Sequence, residues 1–294
     1  YGSGGRIALT SSATLNNSDI WGYVATGGTP ATIGPNGLIG PFGTTSGTVA
    51  AGHSSTDFTA SFDPVTTPST YSYTAMGNIT GAASSDSLPG DSGASAAADG
   101  KYYIEAPCIN FNNQTLTIEA GKTVVLKLTN TGNTSGTGAI SVGGGSGVIQ
   151  LAAGAKLIIY TEGKIDIGGK GISNGVDGPD AGTDISAAEM GQPANFQIWG
   201  TKTSGTQSID IAGNGALSAI VYAPQGSVKI NGNGDVAGSV VANDITVVGN
   251  AQFHYDESLG NFGGNPYRVA AWNELTTATA RTQACTDVGS TMTF

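Results

Sequence analysis

Across 294 residues the chain carries 11 Lys and Arg against 21 Asp and Glu, a net charge of −10. That balance excludes an extended basic face for nucleic acid or for an anionic membrane surface. Charged residues make up 11%, about half the usual share, while 47 glycines and a patterned 38% of apolar residues favour an all-β, turn-rich protein over a disordered chain.

Residues 1–65 open with Arg6-Ile7-Ala8-Leu9, which alternates as a strand does. Asp19-Ile20-Trp21-Gly22-Tyr23-Val24 then matches Asp235–Val240 in a D-(I/V)-x-G-x-V pattern. These segments predict the first rungs of a coiled fold, with long Gly/Pro corners. Trp21 and Tyr23 fall on outward positions, as does Tyr222. Exposed aromatics of this kind suit sugar rings or a partner subunit, or simply pack under a neighbouring loop. Residues 66–100 are rich in Ser, Thr, Ala, Gly and Pro and predict an excursion, either a binding loop or a plain surface loop.

Residues 101–260 predict the main body. Ala120-Gly121 and Ala153-Gly154 each precede a strand and lie 33 residues apart. The clearest signal is Ser208–Asp256. The phrase I-x-I-x-G-N-G occurs at Ile209–Gly215, at Val228–Gly234 and more weakly at Ile245–Ala251, with starts 19 and then 17 residues apart. Ala219–Pro224 and Gly238–Asn243 match between them. Period-2 alternation puts Ile209, Val228 and Ile245 in one inward column and Ile211, Ile230 and Val247 in a second. Val221 stacks on Val240 and Ala223 on Ala242. Ala219 and Gly238 allow close approach to the opposite wall. Asn-Gly corners tolerate the bends. The predicted fold is therefore all-β: a single-stranded parallel β-solenoid, a right-handed β-helix, with a short C-terminal helix as cap. That helix falls in the tail 261–294, where Val269, Trp272 and Leu275 share one face.

Candidate chemistry is sparse. The loop 170–195 holds Asp177, Asp180 and Asp184, carboxylates of the type Ca²⁺ prefers, without the spacing of known calcium loops. Asp166, Asp210, Lys229, Asp235 and Asp244 lie on or beside rungs. Asp210 and Lys229 occupy one outward column and suit a structural ladder pair better than catalysis. His53 and His254 form no zinc pattern. No catalytic residue and no cofactor site is predicted. Two cysteines, Cys108 and Cys285, predict either a disulfide, favoured by the extracellular look of the composition, or two separate buried thiols. No apolar run is long enough to span a membrane. The chain starts at Tyr1 within sequence that reads as folded, so a removed or omitted leader or anchoring helix is expected.

Phe253-His254-Tyr255-Asp256-Glu257-Ser258-Leu259, following Gly-Asn-Ala, resembles the C-terminal β-helical region of bacterial pilus-associated surface proteins. Those proteins often carry a minor-pilin-like (PilX-type) hydrophobic N-terminus, which this chain lacks. Tyr267 with Arg268–Leu275 is similar to the closing segment of that region. The resemblance implies an extracellular or cell-surface, non-enzymatic role and brings no catalytic residues. The expectation is a bacterial surface or filament subunit, with adhesive contacts, that assembles with itself or with other pilus subunits through solenoid ends and loops. The competing expectation is a carbohydrate-binding or polysaccharide-cleaving module. Neither nucleic acid nor membrane insertion by this chain is expected.

Overall fold

Alternating apolar and polar residues turn most of the chain into strands with one dry face and one wetter face. In Lys156–Thr161 the buried positions are Leu157, Ile159 and Thr161, and in Ile109–Asn112 they are Ile109 and Phe111. The computed structural model describes residues 5–9, 12–59, 62–81, 85–134, 138–168, 170–174, 192–212, 217–231, 235–248, 252–255 and 259. The helical elements among them are two 3-10 turns, Gly90–Ser92 and Pro193–Asn195. All belong to one unit, Tyr1–Leu259; the expected C-terminal helix falls in Gly260–Phe294, outside the described residues.

The chain is all-β, and its strands pair in parallel. A first wall runs, neighbour to neighbour, through Thr74–Ala75, Tyr102–Ala106, Thr123–Leu128, Lys156–Thr161, Phe196–Gly200 and the first half of Leu217–Ile230. It continues into the first half of Asp235–Val247 and then Gln252–Tyr255. A second wall runs through Ile109–Asn112, Ile140–Gly143, Ile165–Ile167 and Gln207–Ile211 into the second halves of the same two long strands. These two walls share one twelve-stranded sheet. A third, four-stranded wall holds Ser85–Leu88, Thr115–Ile118, Val148–Leu151 and Gly171–Ser173.

Stacking in register makes columns. Ile104, Leu126, Ile159, Ile198, Val221 and Val240 line up inside the first wall. Ile109, Ile140, Ile165, Ile209, Val228 and Ile245 line up inside the second. Leu116, Ile149 and Ile172 do so in the third. Most of these side chains are fully buried in one core, and each contributes about 1.5–3 kcal/mol on burial. The columns expected at 209/228/245, 211/230/247, 221/240 and 223/242 are all present. Ala219 and Gly238 stand opposite each other on neighbouring strands of the same wall, and a Cβ on Gly238, which sits at φ +132°, would meet the Ala219 carbonyl oxygen. At the matching corners, Gly121 (φ +67°) and Gly154 (φ +70°) take the left-handed bend, and the Gly121 N–H donates to the Ala153 carbonyl at 2.9 Å. The Asn-Gly corners at 214–215 and 232–234 lie outside the described residues.

Two buried amides finish the interior. Gln207 donates from Nε2 to the carbonyls of Thr161 (3.0 Å) and Gly163 (2.9 Å). Asn174, just after the last strand of the third wall among the described residues, donates from Nδ2 to the carbonyls of Gln192 (2.9 Å) and Ser218 (2.6 Å). Buried polar groups need such partners.

Two stretches differ from expectation in position. Residues 66–100 are more than an excursion: they supply Thr74–Ala75 and Ser85–Leu88 to the first and third walls, and Ile79 bridges to Ile109. Their strands are short and mostly Ser, Thr and Asp, so the alternation signal is absent; Ile79 and Leu88 are buried in the core, and Met76 and Ala94 pack against it. The segment with Asp19–Ala25 does form parallel strands, with Gly5–Ala8, Leu38–Gly40 and Ser54–Ser55. It has its own small core of Leu9, Ala13, Leu15, Ile20, Val24 and Ile39. This block adjoins the last long strand rather than the first wall strand. Thr14 bridges in parallel to Thr246, Ser18 Oγ donates to the Val247 carbonyl at 3.4 Å, and Ile245 packs against both cores. From there the chain returns to Thr74.

Candidate binding face on the first wall

The outward column of the first wall follows from the same alternation: Glu105, Lys127, Tyr160, Trp199, Tyr222 and Val241 stand opposite one another on successive strands. Lys127 Nζ pairs with Glu105 Oε2 at 2.6 Å. Tyr160 and Trp199 have ring centroids 6.4 Å apart and Trp199 and Tyr222 5.4 Å. Trp199 is fixed by its Nε1 donating to Gln197 Oε1 at 3.1 Å.

A return strap, residues 62–73, crosses this column. At one end Phe62 meets the Tyr222 ring edge-on at 6.4 Å, and the Tyr222 hydroxyl donates to the Asp63 carbonyl at 3.0 Å. At the other, Tyr71 and Tyr73 pack on Tyr103 with centroids at 5.0 and 5.4 Å. The Tyr73 hydroxyl donates to the Pro68 carbonyl at 3.1 Å, and Lys127 Nζ lies 5.9 Å from the Tyr73 ring centroid. Between strap and wall is an open groove of about 480 Å³, lined by Thr67, Pro68, Ser69, Tyr71, Ser72, Tyr73, Glu105 and Lys127.

The electrostatics keep these groups neutral or paired. Burial, with Tyr160 and Glu105 nearby, pushes Tyr73 up to about 12. Burial and the hydrogen bond to Asp99 push Tyr103 up to about 12. Burial also raises Tyr160, and burial with the charge of Asp63 raises Tyr222. At neutral pH all four are protonated phenols. Asp99 is held below its usual range by the Lys101 ammonium, 2.8 Å away.

The second wall uses its outward charges differently. Asp166 and Asp210 face each other on adjacent strands, and Lys164 bridges them at 3.5 and 3.0 Å. The hydrogen bond to Asp210 holds Lys164 above its ordinary value. Lys229 is opposite Asp210 in register, but the ion pair of Asp210 is with Lys164. Asp244 accepts from Ser227 Oγ at 2.7 Å.

The three aromatics singled out in sequence do not form one site. Trp21 packs on Phe42 at 5.3 Å and Tyr23 stacks on His53 at 4.3 Å, both in the N-terminal block. Tyr222 belongs to the first wall. Sequence reading missed Tyr160 and Trp199, although Ile159-Tyr160, Ile198-Trp199 and Val221-Tyr222 repeat one signal, an inward aliphatic followed by an outward aromatic. It also missed the strap tyrosines, which carry no periodic signal. Asp177, Asp180 and Asp184 lie outside the described residues. Among the described residues no group of three or more His, Cys, Asp or Glu could hold a metal. Cys108 is a buried free thiol, and Cys285, the other half of the expected pair, lies outside the described residues. No helix among the described residues is long and apolar enough to cross a membrane.

A family model matches residues 51–262, well over half of the chain. The chain belongs to the DUF7305 family, a domain of unknown function. The DUF7305 match takes in the strap and all three walls, and most of the N-terminal block lies before it. No curated protein and no solved structure matches the chain.

Proposed function

We propose that the chain coils as a single parallel β-solenoid and serves as a non-enzymatic structural subunit of a bacterial cell surface or pilus-like filament. The hand is right-handed, as parallel crossovers almost always are. The pairing order supports coiling, because each wall strand's neighbour is its counterpart from the next stretch of chain. The observation that carries the non-enzymatic reading is the state of the outward carboxylates. Glycoside cleavage needs two free carboxyl groups flanking a bond. Here Asp166 and Asp210 share Lys164, and Glu105 is bound to Lys127. The surface and pilus assignment rests on the low-charge, Gly-rich composition and on the resemblance at 253–259 and 267–275.

Side faces and loops, rather than bare ends, make the contacts in this reading. An open sheet edge invites pairing unless it is blocked. On the edge strand Ser85–Leu88 the Ser87 N–H donates to Asp91 Oδ2 at 2.5 Å, and beside it the Gly81 N–H donates to Asp86 Oδ2 at 2.8 Å. The last long strand adjoins the N-terminal block.

Immunogold electron microscopy of intact producing cells tests the reading. Label on the outer surface or along filaments is the expected result. Label confined to the cytoplasm overturns it.

A further inference from the structure

We propose that the groove between the strap and the first wall binds uncharged sugar rings, with the oligosaccharide running on towards Tyr160 and Trp199. The proposal gives the surface role a ligand and rests on that reading only for where the ligand is met. Four observations carry it.

The first is size and lining. About 480 Å³ falls within the roughly 300–1,000 Å³ of small-molecule sites. Two tyrosine rings stand there beside the side chains of Thr67, Ser69, Ser72, Glu105 and Lys127. A pyranose offers the matching surface: C–H faces for aromatic rings and a rim of hydroxyls that both donate and accept. A lipid chain would leave the ion pair and the hydroxyls without partners.

The second is charge. Glu105 and Lys127 cancel at 2.6 Å, and Lys101 with Asp99 cancels beside them. A neutral ligand meets no net charge, while a polyanion meets a chain of net charge −10. The pair remains able to hydrogen-bond outward, since both side chains are over one-third exposed.

The third is the backbone. Thr123–Leu128 is hydrogen-bonded to Tyr102–Ala106 on one side and to Lys156–Thr161 on the other. The strands that carry Glu105 and Lys127 are each paired on both sides, so neither offers a peptide an edge to extend. Recognition there must use side chains.

The fourth is preorganisation. Tyr73 is tied to the Pro68 carbonyl, Tyr71 and Tyr73 are wedged on Tyr103, and the far end of the strap is tied through Tyr222. Little ordering entropy is then lost on binding. Tyr160 and Trp199 continue from Lys127 in the same outward column, so further sugar units meet rings.

The test is calorimetry and tryptophan emission on the purified full chain. The probes are neutral oligomers (glucan, mannan and N-acetylglucosamine series) and anionic ones (uronate and sulfated series). Binding of at least one neutral oligomer is expected. It should weaken by roughly tenfold or more in Tyr71→Leu and in the size-preserving pair Glu105→Gln with Lys127→Gln. Lys164→Met on the second wall should bind as the parent does. Variants are compared where circular dichroism shows the parent's fold at the assay temperature. Binding by none of the neutral oligomers overturns the proposal, as does unchanged affinity in the groove variants, or salt-sensitive binding of the anionic series alone. Each of these outcomes is independent of where the protein sits on the cell, so failure here leaves the surface reading standing.

Discussion

Between Tyr102 and Ser173 each pass of the chain lays down three separate strands, one per wall. From Leu217 to Val247 each pass lays down one long strand that serves two walls, turning at the register shift between Ala223 and Ser227. The early passes place Ile, Leu and Phe inward on all three walls, and most of these are fully buried in one core. The late passes bring Ala219 against Gly238 and Ala223 against Ala242, and Val240 and Ile245 are only partly buried. Small residues thus gather in the first-wall halves of the two long strands, while Val228 and Ile230 in the second-wall half stay fully buried. Packing depth should therefore decide how much each region tolerates.

The largest effect expected is at the three-walled core. Ile140→Ala should cost about 2–5 kcal/mol, whereas Val240→Ala in the late region should cost about 1 kcal/mol. Urea midpoints at constant slope read both, and equal losses would break the comparison. Next is backbone approach. Gly238→Val should cost about 1–3 kcal/mol, because any Cβ meets the Ala219 carbonyl. Gly145→Ala, at an early corner with nothing within 4 Å, should stay within about 0.5 kcal/mol. Thermal melts of the two variants would sharpen or remove that contrast.

A smaller effect is expected on the outward face of the second wall. Lys164→Met leaves Asp166 opposite Asp210 unbridged and should cost up to about 1 kcal/mol. The Lys164 value is raised by Asp210, so its contribution is complete below the ordinary lysine range and is lost as pH rises through the raised value. The difference between variant and parent, followed by chemical denaturation from pH 7 upward, should be flat at first and then vanish. The smallest effect at neutral pH belongs to the strap. Tyr73 and Tyr103 are held at about 12 against an ordinary 10. The folded state keeps these protons longer than the unfolded one, so stability should fall as pH climbs from 10 towards 12. Tyr73→Phe should shallow that fall and leave the neutral-pH midpoint nearly unchanged; an identical alkaline curve would contradict the assignment.

The late region was the legible one, and the same comparison explains why. Where one continuous strand serves two walls, the corner is short, and the equivalent residues recur at a nearly constant interval. Ile209, Val228 and Ile245 could be aligned by eye for that reason. In the early region the connections vary in length. Ile140 and Ile165 are as surely stacked as Ile209 and Val228, yet no fixed interval announces them. The candidate binding face was half legible. Tyr222 lay within the clear repeat and was singled out. Trp199 and Tyr160 occupy its column on strands whose intervals differ, and the strap that supplies the rest of the groove has no periodicity at all.

By itself the sequence determined the strand character, the inward columns and the parallel sense of stacking. Those depend on period-2 alternation and on side chains too apolar to face water. Only the tertiary structure decided that the N-terminal block adjoins Thr246 rather than the first wall strand. It also decided that Lys164, and not Lys229, pairs with Asp210, and that residues 62–73 run from Tyr222 to Tyr103 and form a groove with Glu105 and Lys127. Each of these is a contact between residues far apart in the chain. It is set by where long, non-repeating connections deliver their ends, and local pattern carries no record of that.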